Sequence, residues 1–194
     1  GNGGTASQEI LVTVISVNDS PVTVDNDQLT TVEETAVSID LISLTSDIEG
    51  DPATFVYTLV EDATNGTCTN NNDGTFTYLP ALDFPNTDLT GTDTCTFKTD
   101  DNEVENSESN ISTLTITVLN ENDSPVLNVI NDFEFNEDDI GVIEVSGTDV
   151  ETESSELEFD CINGTDIFCE EIDGSITFSA TDHFFGSETI RKLF

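Results

Sequence analysis

Acidic side chains are the most abundant candidates for chemistry in this chain. Asp and Glu number 41 against 3 Lys plus Arg, and the formal net charge is −38 at pH 7. Such a charge repels nucleic acids and anionic membrane surfaces, so both are disfavoured as partners, and it attracts divalent cations. The alternative is that the acids form a solvated, salt-adapted surface that only opposes aggregation.

Groups suited to catalysis are few. The single histidine, His183, stands beside two Phe at a predicted turn, and any Ser-His-Asp or Cys-His mechanism would have to use it. Carboxylate pairs of the kind that hydrolyse glycosides are not marked out by position, and the chain has no Trp to form a sugar platform. We therefore expect that the chain is not an enzyme.

The four cysteines fall as two in each of the repeats defined below and form no C-x-x-C pair, which favours disulfides and an oxidising compartment. Cys68 and Cys95 lie on separate predicted strands, where a bridge would join the layers of a sandwich. Cys161 and Cys169 flank a predicted hairpin turn and could bridge adjacent strands. Pairing within each repeat is the prediction; free thiols and links between chains are the alternatives.

Asn-x-Ser/Thr sequons add to the evidence for a secreted chain. Asn65, Asn110 and Asn163 are candidate glycosylation sites, whereas Pro follows the sequons at Asn18 and Asn122. No stretch approaches the roughly 20 apolar residues of a membrane span. The chain starts without Met or a signal peptide, which suggests a mature fragment or an excised window. We predict an extracellular or cell-surface location.

An internal duplication is the strongest signal of organisation. Residues 10–22 read ILVTVISVNDSPV and residues 114–126 read LTITVLNENDSPV, so Asp19 and Asp123 occupy equivalent places with a period of 104 residues. Apolar residues alternate in each copy, which is the pattern of a half-buried strand. The Asn-Asp-Ser-Pro that follows ends the strand, because Pro cannot donate to a β-ladder.

Other short motifs recur in the same order in both copies. Asp-Ile-Glu at 47–49 corresponds to Asp-Val-Glu at 149–151, and Glu33 corresponds to Glu137. Asp73-Gly74 and Asp173-Gly174 each predict a turn that leads into a strand. Six or seven short strands separated by Gly, Asn, Asp and Pro turns, with no helical period, predict an all-β fold of tandem β-sandwiches.

The repeats divide the chain into three parts. Residues 1–19 would be the last strand of a preceding repeat, residues 20–123 a complete repeat, and residues 124–194 a second repeat without its final strand. A window cut from a longer tandem array explains this frame. The alternative is that residues 9–18 of one molecule fill the open edge of residues 124–194 in another and build a head-to-tail fibre.

The order of these motifs resembles that of the cadherin-like tandem repeats of large secreted surface proteins and adhesins. The resemblance rests on VNDSPV, TVEETAVSIDL, SDIEGD, NGT, DGTFTYLP and GTDTCTF; it covers residues 9–123 and, more loosely, residues 124–190. The last segment, IRKLF, departs from the pattern. The resemblance implies tandem seven-stranded Greek-key β-sandwiches of the immunoglobulin type.

The resemblance also implies calcium at the junctions between repeats, where oxygen ligands from successive repeats stiffen the array into a rod. If the acids instead lie in solvated turns, the array would be a flexible beaded string. The junction after residue 123 would use Glu33, Glu121, Asn122, Asp123, Asp149 and Glu151. The upstream junction would use Asn18, Asp19, Asp47 and Glu49, with Asp51 and Asp100 as additions, and Glu137 is the counterpart of Glu33 in the second copy.

Two functions remain from these observations. The first is a structural stalk or filament module of an extracellular surface protein, whose partners are neighbouring repeats of the same chain or further copies head to tail. The second is an adhesion module that binds a glycan or a surface protein of another cell. Outward-facing Thr115 and Thr117 suit a flat binding face, but β-propensity on a solvent face explains them more simply.

Overall fold

The computed structural model describes residues 1, 3–86, 89–172 and 174–193, and it is built almost entirely of β-strands. Two short 3-10 helices, Ile42–Leu44 and Pro52–Thr54, are the helical segments of these residues. The predicted all-β sandwich class is confirmed. The chain forms two compact units, residues 1–82 with 92–118 and residues 83–91 with 119–194. Each unit is described by itself.

The first unit is a sandwich of a four-stranded sheet and a three-stranded antiparallel sheet. The four-stranded sheet has the order β2-β9-β8-β5, the three-stranded sheet has the order β3-β7-β6, and β1 pairs with β4. The strands are β1 (Val22–Thr23), β2 (Asn26–Val32), β3 (Val37–Asp40), β4 (Thr45–Ser46), β5 (Val56–Glu61), β6 (Gly66–Asn70), β7 (Thr75–Pro80), β8 (Thr90–Asp100) and β9 (Ser112–Leu119).

Alternation along the strands builds the core of this unit. Every second residue of β9, from Ser112 to Val118, is buried, because successive side chains of a strand point to opposite faces. Phe97 on β8 meets Phe76 on β7 edge to face, with ring centroids 6.4 Å apart. The apolar core therefore fills the space between the two sheets. Its members are Ile39, Leu41, Phe55, Tyr57, Cys68, Phe76, Tyr78, Cys95, Phe97, Leu114, Ile116 and Val118.

A disulfide joins the two layers of the first unit. Cys68 on β6 pairs with Cys95 on β8, which are strands of different sheets, and the Cα atoms are 6.7 Å apart. This is the pairing predicted from the sequence. The predicted turn before β7 is also present, because the amide of Thr75 donates to Asp73 Oδ1 (3.1 Å) and Gly74 adopts φ +85°.

The second unit repeats part of this strand order with smaller sheets. A three-stranded sheet has the order β11-β15-β14, while β10 pairs with β12 and β13 pairs with β16. The strands are β10 (Val126–Leu127), β11 (Gly141–Glu144), β12 (Gly147–Thr148), β13 (Asp160–Ile162), β14 (Ile167–Ile172), β15 (Ser175–Ala180) and β16 (Arg191–Leu193). Residues of the divergent segment 190–194 thus form a strand, β16, antiparallel to β13.

The core of the second unit is thin. Val145 and Ile176 are the apolar side chains that are buried among its described residues. Phe133, Phe135 and Phe178 add a cluster whose ring centroids lie 5.8 to 6.4 Å apart, yet Phe133 remains 41% exposed. The turn predicted at Asp173-Gly174 lies partly outside the described residues, because Asp173 is not among them.

The second disulfide corrects one expectation. Cys161 pairs with Cys169 as predicted, with Cα atoms 6.2 Å apart, but the two strands that carry them do not form a hairpin. Cys161 lies on β13, which pairs with β16, and Cys169 lies on β14, which pairs with β15. The strands are consecutive in the chain yet belong to different sheets, so this bridge also joins two sheets.

Phe97→Ala tests the core of the first unit. Phe97 is fully buried, so we expect the free energy of unfolding to fall by about 3–5 kcal/mol from lost apolar contact and the cavity left behind. Both tyrosines, Tyr57 and Tyr78, lie in this unit, so tyrosine fluorescence during urea unfolding reports on it alone. Val104→Ala, at a side chain that is 97% exposed, is the control and should leave the midpoint unchanged. Equal midpoints for the two variants would contradict this core.

Candidate functional site

An acidic cluster holds the start of the first unit. Asn18 Nδ2 donates to Asp101 Oδ2 (2.9 Å) and to the carbonyl oxygen of Glu105 (3.0 Å). The amide of Asp19 donates to Glu49 Oε2 (3.3 Å), and the amide of Glu49 donates to Asp47 Oδ1 (2.8 Å). Four acidic residues and one asparagine are thereby linked. We call them the first cluster: Asn18, Asp19, Asp47, Glu49 and Asp101.

One oxygen of the first cluster is buried without a hydrogen bond. Asp47 Oδ1 accepts from the amides of Glu49 and Gly50, whereas Asp47 Oδ2 is buried and accepts no hydrogen bond from the described residues. A buried carboxylate oxygen is costly unless a donor or a cation compensates it. Oxygen atoms of carboxylates and carbonyls are also the ligands that Ca²⁺ prefers.

Two hydrogen bonds of the first cluster recur in the second unit. The amide of Asp123 donates to Glu151 Oε2 (3.1 Å), as that of Asp19 does to Glu49. The amide of Glu151 in turn donates to Asp149 Oδ1 (3.1 Å). Asn120 Nδ2 reaches Glu151 Oε1 (3.5 Å) from the other side. These residues form the second cluster: Asn120, Asp123, Asp149 and Glu151.

Several other predicted ligands serve the turns of the first unit. Asp51 Oδ1 accepts from the amide of Ala53 and caps a 3-10 helix. Asp100 accepts from the amide of Asn102 (2.7 Å) and the hydroxyl of Ser107 (3.3 Å), which lie in its own loop. Both carboxylates therefore have local roles outside the first cluster.

The remaining predicted ligands are placed separately. Glu33 lies in the turn after β2, is 3% exposed and belongs to the first unit. Glu121 and Asn122 are exposed residues of the second unit, and Asn122 Nδ2 donates to the carbonyl oxygen of Asp123 (2.6 Å). Glu137 is exposed in the loop before β11. The combined junction set of Glu33 with residues 121–123 remains a prediction, because its members fall in different units.

A metal centre is not preformed in either cluster. Within residues 1, 3–86, 89–172 and 174–193, no three His, Cys, Asp or Glu side chains stand together so as to hold a metal ion. The donor types suit calcium, and Asp47 Oδ2 is a buried oxygen with no hydrogen bond from the described residues. The first cluster therefore fits the ion in chemistry, while its carboxylates hold backbone amides.

Sequence reasoning missed one residue in each cluster. It selected Asp100, but the neighbouring Asp101 contacts Asn18. It also passed over Asn120, which lies just before the Glu121-Asn122-Asp123 linker and contacts Glu151. The Asp100-Asp101-Asn102 run showed that a loop acid was present. Only the tertiary path of that loop shows which carboxylate faces the linker.

Outside the two clusters, two carboxylates accept hydrogen bonds from the backbone of a loop: Asp93 from the loop before β6 and Glu188 from the loop before β14. Asp93, 4% exposed, accepts from the amide of Asn65 (2.8 Å) and from the Tyr78 hydroxyl (3.1 Å). Glu188 likewise accepts from the amides of Asp166 (3.0 Å) and Ile167 (2.9 Å). Burial, and then the Asp93 charge, raise the pKa of Tyr78 well above its usual value. The hydrogen bonds from the backbone amides of Thr165, Ile167 and Asp166 lower the pKa of Glu188.

The candidate glycosylation sites differ in accessibility. Asn110 is bound on both sides of its amide, because Oδ1 accepts from the amide of Thr23 (3.0 Å) and Nδ2 donates to the Thr23 carbonyl (2.9 Å). Asn65 is half-buried. Asn163 is exposed, although its Oδ1 accepts from the amide of Cys169 (2.7 Å). Glycosylation of all three remains a prediction.

His183 lies in a turn with φ +62°, as expected for a turn residue.

None of the helices formed by the described residues is long and apolar enough to cross a membrane.

Glu188→Gln tests the loop carboxylate of the second unit. Because the folded-state pKa lies below the ordinary value of 4.5, ionised Glu188 stabilises the unit above that pH, and this stabilisation is lost as the pH falls through the folded-state pKa. We expect the variant to be less stable than the parent at neutral pH and the gap to close in acid. Urea titration followed by the amide NMR signals of β14 and β15 measures both.

Glu153→Gln is the matched control, since it removes the same charge from an exposed position. A gap between Glu188→Gln and the parent that is independent of pH, or one that Glu153→Gln reproduces, would contradict the assigned role of Glu188.

Comparison with known proteins finds one matching family model and several solved structures of low sequence identity. A family model described as the bacterial cadherin-like domain matches residues 18–120, more than half of the chain. The comparison with curated proteins found no match.

Solved structures similar to this chain include several cadherin ectodomains. Domains 22–24 of mouse cadherin-23 share 18% identity over 84% of this chain and 56% of that one, with a TM-score of 0.42. Domains 1–4 of protocadherin gamma B7 share 19% identity over 84% of this chain and 42% of that one (TM-score 0.39). An endo-fucoidan hydrolase of glycoside hydrolase family 107 shares 18% identity over 84% of this chain and 24% of that one (TM-score 0.37).

The chain spans less than two thirds of the length of each of these three proteins. The family match covers β1 to β9, and thus the complete sandwich that carries the first cluster. The chain belongs to the bacterial cadherin-like domain family.

Proposed function

We propose that the chain is a structural stalk module of an extracellular surface protein, in which neighbouring repeats of the same kind are the partners. The observation that carries this proposal is the repeated clamp between linker and acidic loop, Asp19 to Glu49 in one unit and Asp123 to Glu151 in the other. A connection that the chain makes twice with the same bonds suits an array whose linkers are all built alike. The family supports an extracellular adhesion or structural module in general, and its domains are non-enzymatic.

An extracellular location is part of this proposal. The disulfides Cys68–Cys95 and Cys161–Cys169 each join two sheets of their unit, and such bonds persist in oxidising compartments. Among the described residues no cysteine is left free. Asn163, an exposed sequon in the second unit, is the site where an attached glycan would disturb the least structure.

Calcium binding at the first cluster is the finer part of the proposal. Asp47, Glu49, Asp19 and Asp101 would hold the ion, with Asn18 available to turn its amide oxygen inward. When bound, calcium would supply positive charge to a chain whose net charge is −38. The residues themselves keep the linker in place through backbone amides, and Asp47 Oδ2 presents a buried oxygen with no hydrogen bond from the described residues. The second cluster offers Asp123, Asp149 and Glu151 in the same way.

Thermal unfolding of the 194-residue chain tests calcium binding. Followed by tyrosine fluorescence, the melting temperature of the first unit should rise in millimolar calcium relative to chelator, because a ligand that binds only the folded state stabilises it by mass action. A calcium concentration of about 100 times the Kd would add about 2.7 kcal/mol. Magnesium at the same concentration controls for ionic strength.

Asp47→Asn should abolish most of the calcium response, because it removes the charge while keeping an oxygen to accept from the amides of Glu49 and Gly50. Glu103→Gln, which removes one charge from an exposed side chain of the same unit, should keep it. Calcium binding is wrong if the parent does not respond, or if both variants respond like the parent. A response that magnesium reproduces in full would reduce the effect to charge screening.

A further inference from the structure

An asparagine followed by a glycine lies on the surface of the second unit, in the loop before β14. Asn163 is exposed, and Gly164 follows it. A backbone nitrogen that follows asparagine can attack the carbon of the side-chain amide, and glycine leaves this approach open because it has no Cβ. The attack closes a succinimide ring and releases the side-chain nitrogen as ammonia. The pair therefore has the residue types that deamidation requires.

The fold requires glycine at this position. A Cβ at Gly164 would collide with the carboxylate of Glu188. That carboxylate accepts hydrogen bonds from the amides of Asp166 (3.0 Å) and Ile167 (2.9 Å), so moving it away would break the bonds that fix the loop. The same packing therefore sets the path of the loop and keeps a glycine after Asn163.

The side-chain carbonyl of Asn163 is polarised for attack. The amide of Cys169 donates to Asn163 Oδ1 (2.7 Å). In the tetrahedral intermediate this oxygen carries the negative charge, and a fixed N–H donor at such a distance stabilises a developing oxyanion. Because Oδ1 faces Cys169, the departing Nδ2 lies on the opposite side of the side-chain amide. The hydrogen bond thus favours the step in which the ring closes.

The attacking nitrogen is held by a local hydrogen bond. The amide of Gly164 donates to the carbonyl oxygen of Ile167 (2.8 Å), at the end of the same loop. This bond must open before the nitrogen can lose its proton and turn toward the side chain of Asn163. Local openings of a loop cost much less free energy than global unfolding. The reaction is therefore accessible from the folded state.

The first unit contains an Asn-Gly pair that is held more firmly. Asn65 is half-buried, its amide donates to Asp93 Oδ2 (2.8 Å), and its carbonyl oxygen accepts from the amide of Ala81 (2.8 Å). Gly66 begins β6 and packs against the ring of Tyr78. Turning the Gly66 nitrogen toward the side chain of Asn65 would rotate the carbonyl away from Ala81. The same two residue types are thus protected by a β-sheet.

The closed first unit also shows that the exposure of Asn163 belongs to the loop itself. Its counterpart there is Asp62, which is exposed as well. Asp62 Oδ1 accepts from the amide of Cys68 (2.7 Å), as Asn163 Oδ1 does from that of Cys169. A carboxylate therefore has the role in the first unit that an amide has in the second.

We propose that Asn163 is a site of spontaneous deamidation in the folded protein, with water as the co-reactant. The nitrogen of Gly164 loses its proton to hydroxide and bonds to Asn163 Cγ. The Cγ–Nδ2 bond then breaks, and Nδ2 takes a proton from water and leaves as ammonia. Water opens the succinimide at either carbonyl and gives aspartate or isoaspartate. Both products remove the Asn-Gly-Thr sequon, so deamidation and attachment of a glycan compete for the same nitrogen.

Peptide mapping by mass spectrometry tests the site. The 194-residue chain is incubated in mildly alkaline buffer, and conversion of amide to acid is followed separately at Asn163 and Asn65. We expect Asn163 to convert at least about tenfold faster, because its reaction needs only a local opening. Enzymatic methylation, which detects isoaspartate, should show that part of the product at Asn163 has passed through the succinimide.

The same incubation in denaturing urea is the matched control. Both Asn-Gly pairs should convert at similar rates there, because the fold no longer distinguishes them. A second control is Asn163→Asp, which should keep the unfolding midpoint of the parent, since Asp62 makes the equivalent hydrogen bond in the first unit.

Any of four results would overturn the inference. In the folded chain, these are an unconverted Asn163 under conditions that convert it in urea, or an Asn65 that converts as fast as Asn163. The others are a difference between the two sites that persists in urea, and a product at Asn163 without isoaspartate, which would indicate direct hydrolysis. All of these readouts are independent of the stalk proposal and of calcium.

Discussion

In the first unit, β9 lies between β2 and β8 and fully buries three alternating apolar side chains, Leu114, Ile116 and Val118. Each such side chain contributes about 1.5–3 kcal/mol by leaving water. The strand also pairs the ladder groups of its two neighbours. Most features of the fold depend on this central strand: the order of the four-stranded sheet, the extended form of β2 and the closed core that contains Phe76 and Phe97. In the second unit the sheets are smaller, and few apolar side chains of its described residues are buried.

Electrostatics imposes a second constraint, because a chain with a net charge of −38 must arrange its carboxylates without many cations of its own. It does so largely with backbone amides. Asp47, Asp93, Asp149 and Glu188 each accept hydrogen bonds from main-chain N–H groups of a nearby loop. These bonds fix the path of loops and linkers. The acids thus act as structural elements of the repeat before any ion is considered.

The internal duplication and the residue patterns within it predicted several elements of the fold. Alternation predicted β9, the Asp-Gly pair predicted the turn before β7, and the spacing of Cys68 and Cys95 placed them on different sheets, as found. The motif Asp-x-Glu located the loops that hold the linkers. Other features depended on tertiary structure. Cys161 and Cys169 are close in sequence, which favoured a hairpin, but pairing of β13 with β16 separates their strands into two sheets.

The predicted calcium ligands also depend on tertiary structure in a way that the sequence does not show. Asp100 and Asp101 are indistinguishable by type and spacing, and only the fold of their loop turns Asp101 toward Asn18 while Asp100 serves Asn102 and Ser107. Asp51 caps a short helix by accepting from the amide of Ala53, a role that its place in the motif did not predict. The ligand set itself remains a prediction, and residue type alone could not show the hydrogen-bond partners of individual carboxylates.

The claim that carboxylates fix the loops of this chain through backbone amides is tested most directly by amide hydrogen exchange. The amides of Glu49 and Gly50 should exchange slowly in the parent, because both donate to Asp47 Oδ1. Asp47→Ala should speed exchange at both amides, whereas Glu103→Ala, at an exposed side chain of the same unit, should leave them unchanged. Exchange at Glu49 and Gly50 that is the same in Asp47→Ala and the parent would contradict the account.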